Sequence, residues 1–419
     1  MKKLSRPKAK LYFLHIPKCA GTTFRTWLEN NFHESEVLSL WDDISISNIP
    51  PSVLKEKSCI SSHSGWGPVP YIKHTHRVVT VLRDPVSRSI SSYRFILQSN
   101  NHYLHEIAQN TSTLEFFRHP TVRLYMANGQ CRQLSFGSME EASKINLYAS
   151  SQFSNLHEIE IQKYDTRILQ LAKERIKNID FLGTCENILD LVYAMSGFYG
   201  WFPPTYLPKF NVTGAEFVAD LTSEVLDEIR SLNILDQELY EYALVEISRR
   251  SDSLHSREHL LREFSNLARR GEIQNDSIFD FKKPLHGEGW YGRERGHDGK
   301  GARWTGPNSS SVLYLNLKGN ENCIVTMKAS SYVPDIINNI ELYCNDTRLP
   351  SSSYQLNPQD GNTRIITAKI DKAHVPEING VVKFSINIPR TVIPNKLQSA
   401  DPDQRALGVY VHWMDFING

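Results

Sequence analysis

The chain has 419 residues, 40% hydrophobic and 22% charged, with a formal net charge of +1. That length exceeds one ordinary hydrophobic core and suits two domains, and the composition is that of a globular chain rather than a disordered or fibrous one. A charge so near zero excludes bulk attraction to nucleic acid, so any recognition of an anion has to be local. No window approaches roughly 18 consecutive apolar residues, and no transmembrane segment is expected. The basic start, MKKLSRPKAK, runs into only six apolar residues, too few for a secretory signal, and is expected to be an unstructured leader. Six scattered cysteines (Cys19, Cys59, Cys131, Cys185, Cys323 and Cys344) lack Cys-x-x-Cys spacing. Reduced thiols in a cytoplasm and no metal centre are therefore expected, with a Cys323–Cys344 pair neither required nor forbidden.

In chain order, LYFLHI (11–16), EVLSL (36–40), CISS (59–62), VVTVL (78–82) and DFLGT (180–184) read as strands. Segments with helical apolar spacing lie between and after them, among them TFRTWLENNF, SISSYRFILQ and TSEVLDEIRSLNILDQELYEYALVEI. Strand and helix in alternation predict an α/β domain over residues 1–250, a parallel sheet with flanking helices whose ligands bind at the carboxyl ends of the strands. Residues 251–275 read as a helical linker with Leu260, Leu261, Phe264 and Leu267 on its apolar stripe. From 276 to 419 the grammar changes to short β-rich runs separated by Asn, Gly, Pro and Asp turns. These predict a second domain, an all-β sandwich of jelly-roll type. Its Trp290, Trp304 and Trp413 either stack on sugars or fill the core, and core filling is expected of at least two.

Two segments carry chemistry. HIPKCAGTTF (15–24) is a tight turn between the first strand and a helix. Gly21 lets backbone N–H groups approach an oxyanion, Thr22 and Thr23 open the helix, and Lys18 adds a full positive charge. The Gly-x-x-x-x-Gly-Lys-Ser/Thr pattern of nucleotide triphosphatases is absent. The second segment, VVTVLRDPVSRSISSYRF (78–95), again runs from strand to helix. Asp84 suits an N-cap and Pro85 the first helical position, leaving Arg83 at the strand end and Arg88 and Ser91 one turn apart. Guanidinium and hydroxyl beside a helix N-terminus make a second phosphate site. His63, after CISS, falls at another strand end and is the candidate general base; His15 is the competitor.

Lys18 to Phe24 resembles the 5′-phosphosulfate loop of sulfotransferases that use 3′-phosphoadenosine-5′-phosphosulfate (PAPS). Arg83 to Phe95 resembles their 3′-phosphate element, with a serine eight positions after the arginine. The forms HIPK-x-x-GTTF and RDP-x-x-R-x-x-S-x-Y are most similar to the branch holding the heparan sulfate 2-O- and 6-O-sulfotransferases and their bacterial relatives. NGQCRQL (128–134), FLGTCENI (181–188), LPKFNVTG (207–214) and LDQELYEYA (235–243) follow in order, so the resemblance covers residues 11–248. Cys19 stands where a threonine is usual. The resemblance implies a P-loop-like fold and sulfuryl transfer from PAPS to a carbohydrate or polysaccharide hydroxyl, leaving adenosine 3′,5′-bisphosphate. It makes His63 the base and has Lys18 stabilise the leaving phosphosulfate oxygen. Lys18, Ala20, Gly21, Thr22, Thr23, Phe24, Arg83, Arg88, Ser91 and Asn211 would hold the nucleotide, and Gln130 and Arg132 would face the acceptor. The β-domain is loosely similar to sandwich modules of bacterial polysaccharide-assembly enzymes. Two rivals stand beside this reading: a glycan-binding protein with an inactive sulfotransferase-like domain, and a kinase, for which no Walker lysine–threonine pair is visible.

Overall fold

The computed structural model describes residues 8–40, 48–135, 166–208, 221–250, 255–270, 278–279, 281–295, 301–317, 322–355, 361–375, 380–398, 401 and 403–418. Five strands form the first sheet: β1 (Leu11–Leu14), β2 (Val37–Leu40), β3 (Cys59–Ser62), β4 (Arg77–Leu82) and β5 (Phe181–Thr184). Their order is β2-β3-β1-β4-β5 and every pair is parallel. Parallel strands need crossovers, and the long ones are helical: α1 (Gly21–Glu29) after β1, and α2 (Pro85–Gln98), α3 (Gly129–Ser135) and α4 (Thr166–Lys177) between β4 and β5; α5 (Ile188–Tyr199), α6 (Ser223–Leu232) and α7 (Ile234–Arg250) follow β5. Shorter helices fill the intervals. The long apolar pattern 222–247 is broken between α6 and α7 at Asn233, whose backbone leaves the helical region.

Both faces of this sheet are buried, which is why its strands read as unbroken apolar runs. Tyr12 and Leu14 join one core with Ile176, Leu239 and Ala243 of α4 and α7; Leu11 and Phe13 join another with Phe24 and Leu28 of α1 and Val192 of α5. The side-chain period of two therefore divides one strand between two cores.

Next comes α8 (Arg257–Arg269), which buries Leu260, Phe264 and Leu267. The second half comprises β6 (Ile278–Phe279), β7 (Gly287–Glu288), β8 (Glu294–Arg295), β9 (Gly301–Trp304), β10 (Ser310–Leu317), β11 (Cys323–Ser330), β12 (Glu341–Cys344), β13 (Thr347–Leu349), β14 (Ser351–Gln355), β15 (Thr363–Ile370), β16 (Gly380–Asn387) and β17 (Tyr410–Asn418). They make a five-stranded sheet, β13-β12-β16-β10-β7, and a seven-stranded one, β14-β15-β11-β17-β9-β8 with β6 on β17. All pairings are antiparallel. Met327, Ala329, Val411 and Met414 of one sheet meet Leu313, Leu315, Phe384 and Ile386 of the other in a single core, a β-sandwich. Trp290 belongs to that core and donates its indole N–H to the Val312 carbonyl at 3.0 Å. Trp304 and Trp413 are half-exposed, so one of the three tryptophans fills the core, not two. All six cysteines are free thiols.

The sandwich docks on the far end of α1. Arg303, fully buried, donates to the Asn30 side-chain oxygen at 2.5 Å, and Arg293 donates to the Phe32 carbonyl. The Leu285 N–H bonds the Asn30 carbonyl at 2.9 Å and the Glu34 N–H bonds the Lys282 carbonyl at 2.7 Å. Two guanidinium groups thus complement the negative end of the helix dipole of α1. Among the described residues no helix is long and apolar enough to cross a membrane.

Candidate active site

The first phosphate loop leaves β1, passes Lys18 and enters α1. Lys18 and Ala20 both have left-handed backbones, at φ 69° and φ 55°. For non-glycine residues such conformations cost on the order of 1–3 kcal/mol each, and they turn successive N–H groups into an anion-binding concavity. Ala20 is the N-cap of α1 and supplies no side-chain acceptor to the first helical N–H groups. Gly21 is required sterically: a Cβ there would lie 1.6 Å from Nε2 of His15. Thr22 lies half-buried at the helix entrance, and Thr23 donates its hydroxyl to the Pro208 carbonyl at 3.2 Å. Phe24 is corrected to a packing role. Its ring is fully buried, 5.0 Å from that of Phe13, and its N–H is held by the Ala20 carbonyl at 3.1 Å.

The second element leaves β4. Asp84 caps α2 by accepting the Ser87 N–H at 2.7 Å, with Pro85 as first helical residue. Arg83 reaches back to the first loop and donates to the Lys18 carbonyl at 3.0 Å; its Nε is buried and makes no hydrogen bond. Ser91 is half-exposed on α2. Three expected ligands are turned away from solvent. Gln130 is fully buried, its amide accepting the Arg83 N–H at 3.0 Å and donating to the Arg83 carbonyl at 2.9 Å. Arg88 is buried, donates to the Met126 carbonyl at 3.0 Å and lies 3.7 Å from the Asp236 carboxylate. Arg132 donates to the carbonyls of Leu124 and Tyr125 at 2.8 and 2.6 Å, closing the end of the helix Pro120–Met126. Asn211 lies outside the described residues.

Asp236 is the hub behind Arg83. Fully buried on α7, it accepts the N–H groups of Gln130 and Cys131 at 3.0 and 2.8 Å and faces Arg88. It sits in an amphipathic helix where one acidic residue resembles any other, so its position in sequence carried no signal. Arg94 was also missed; it is buried one turn beyond Ser91 and feels the charge of Arg83.

The third strand end brings in the histidines. Leu14 is level with Ser62 in the sheet, so the next residues, His15 and His63, emerge side by side. Their rings lie 4.4 Å apart at 66°. His15 is buried and stacks on Phe13, while His63 is half-exposed. Burial, then the charges of Arg25 and Lys18, push His63 down to about 4. His15 is held well below its ordinary value by burial, His63, Arg25 and Lys18. Both shifts favour the neutral ring. Arg25 lies 3.7 Å from Glu29, which also accepts the Ser61 hydroxyl at 3.4 Å. Lys18 is pushed down to about 8 by burial and by Arg83. Its ammonium sits 4.3 Å from the centre of the Phe95 ring.

The C-terminal ends of β3, β1 and β4, adjacent in the sheet, therefore bring together His63, Lys18 and Arg83 around an anion-shaped loop. The sulfotransferase family model matches residues 4–243, more than half of the chain. This chain belongs to the sulfotransferase family. The chain is 25% identical over 287 residues to heparan-sulfate 6-O-sulfotransferase 3 of Mus musculus, covering 56% of each chain, with the same figures over 286 residues for that of Homo sapiens. It is 24% identical over 302 residues to heparan-sulfate 6-O-sulfotransferase 2 of Gallus gallus, covering 59% of this chain and 69% of that one. The chain thus spans little more than half the length of the two mammalian relatives. A family 6 carbohydrate-binding module from Clostridium cellulolyticum, solved with xylose, matches 32% of this chain and 89% of its own at 11% identity and a TM-score of 0.20, too low to bear on fold or function.

Arg83→Ala is expected to weaken nucleotide binding by about 1.5–3 kcal/mol, the range of a charge-assisted hydrogen bond. Titration calorimetry with adenosine 3′,5′-bisphosphate checks this; an unchanged dissociation constant removes Arg83 from the site.

Proposed function

We propose that the chain is a PAPS-dependent carbohydrate O-sulfotransferase. The observation that carries the reading is the junction of the two loops: the Arg83 guanidinium bonds the Lys18 carbonyl at 3.0 Å, so a left-handed oxyanion turn and a cationic strand end form one cradle. The cradle fits a donor with two separate phosphate groups. Lys18, Ala20 to Thr23 and α1's first N–H groups would hold its phosphosulfate, and Arg83 and Ser91 its 3′-phosphate. When bound, PAPS supplies an activated sulfuryl group. His63, neutral and half-exposed, accepts the proton of the acceptor hydroxyl at a ring nitrogen. Lys18 stabilises negative charge as it develops on the departing oxygen. The heparan-sulfate-acting relatives make a glycan of that class the first acceptor to try.

The donor half of the proposal is tested by thermal unfolding. Adenosine 3′,5′-bisphosphate is expected to raise the Tm and ATP to have a smaller effect; stabilisation by ATP alone would favour the kinase reading.

The lowered pKa of Lys18 also sets a pH dependence. An anion favours the protonated ammonium, so affinity is present below about 8 and is lost as pH rises through that value. Above pH 7.5, where the phosphates of the ligand are almost fully ionised, bisphosphate affinity is expected to fall by up to about tenfold per unit above Lys18's pKa, one proton's worth of linkage. Lys18→Arg, cationic throughout, should remove that limb. A flat profile in the unaltered chain contradicts the placement of Lys18 in the cradle.

A further inference from the structure

The outer face of the seven-stranded sheet is composed as no core requires. Along β11 alternation turns Val325, Met327 and Ala329 into the core, fully buried, and Thr326, Lys328 and Ser330 outward. Register carries these outward positions across the sheet. Ser330 is level with Tyr410 and then Trp304; Lys328 is level with Trp413 on one side and, through Ile365, with Tyr354 on the other. The pairing slips between Lys328 and Ala329, and the bulge sets two consecutive residues of β17, His412 and Trp413, on the outside. Their neighbours Val411 and Met414 remain fully buried. His412 Nε2 lies 2.7 Å from the Ser330 hydroxyl. Trp304 lies 4.9 Å from Tyr410, ring centre to ring centre.

A solvated sheet face is ordinarily polar. Here aromatic rings and the exposed Ile324 and Ile417 share the face with hydroxyls, an imidazole and two lysines, Lys328 and Lys369, the latter level with Ile324; Asp415, level with Thr326, offsets their charge only in part. An apolar protein surface would bury hydroxyls at a cost of about 1–3 kcal/mol each where they go unpaired, and lysine ammonium groups at far more. A sugar chain satisfies both sets, its C–H faces on the rings and its hydroxyls on the polar side chains. Thr326 to Ser330 span about 14 Å at the strand repeat, room for several linked sugars. We propose that this face binds a polysaccharide, the polymer whose hydroxyls the first domain sulfates. The polymer's role as acceptor rests on the reading above; its binding here does not.

Affinity electrophoresis of the full chain, without donor, through gels holding de-O-sulfated heparan or a neutral β-glucan tests the proposal. Retardation by at least one polymer is expected. Trp413→Ala and Tyr354→Ala should each weaken it at least fivefold with the unfolding midpoint kept within a few degrees; Tyr354, 60% exposed, is a change that folding tolerates. An unaltered chain retarded by neither polymer, or both variants retarded like it, overturns the proposal. Retardation in a chain that transfers no sulfate supports this surface and counts against the catalytic reading alone.

Discussion

His63→Ala is expected to bind adenosine 3′,5′-bisphosphate as the unaltered chain does and to transfer sulfuryl groups roughly 10²–10⁴ times more slowly, the usual contribution of a positioned general base. The expectation comes from the contrast between two neighbouring rings. His15 is 5% exposed, stacked on Phe13, and its Nε2 fills the space that a Cβ on residue 21 would need. Its position is that of a wedge under the oxyanion loop, so His15→Ala should disturb nucleotide binding as well as turnover. His63 stands beyond it, half-exposed at the end of β3. Its loss should therefore appear in kcat alone. A selective loss of turnover in His15→Ala, with His63→Ala fully active, would move the base to His15.

Lys18→Met is expected to lower kcat by roughly 10²–10³, the effect of deleting one donor aimed at developing charge. Methionine keeps the length and apolar bulk against Phe95 but not the charge. Because Arg83 bonds the carbonyl of residue 18 and not its side chain, the junction of the two loops should survive the substitution. Nucleotide affinity should fall less than kcat does, and single-turnover kinetics separates the two. Equal losses in both would make Lys18 a binding group without a part in the chemical step.

The strands of the first domain were legible because burial on both faces writes them as apolar runs: CISS spans Cys59–Ser62 as read, and VVTVL lacks only Arg77. The candidate site was legible where charge or glycine stands at a strand end, as with Lys18, Gly21, Arg83 and His63. Side-chain direction was not. Arg83 and Arg88 read alike in one motif, yet five residues of helix turn Arg88 inward to Met126 and Asp236. Gln130 was expected to face the acceptor, but Gly129 before it lies against the Arg88 guanidinium, where a Cβ would come within 2.8 Å of it, and Gln130 is buried. Such choices depend on what packs across from each residue, often more than 100 positions away in the chain. In the sandwich, alternation predicted the strands but not the bulge, and the bulge is what puts Trp413 outside.

The central claim is sulfuryl transfer to a glycan. It is tested most directly by incubating the full chain with ³⁵S-labelled PAPS and de-O-sulfated heparan, then counting label in the polymer. Label is expected on polymer hydroxyls, released as sulfate by acid, in amounts cut at least a hundredfold in His63→Ala, as for a lost general base. Label carried over equally by His63→Ala, or none transferred to any of a broad panel of glycans by a chain that binds the bisphosphate, would contradict it.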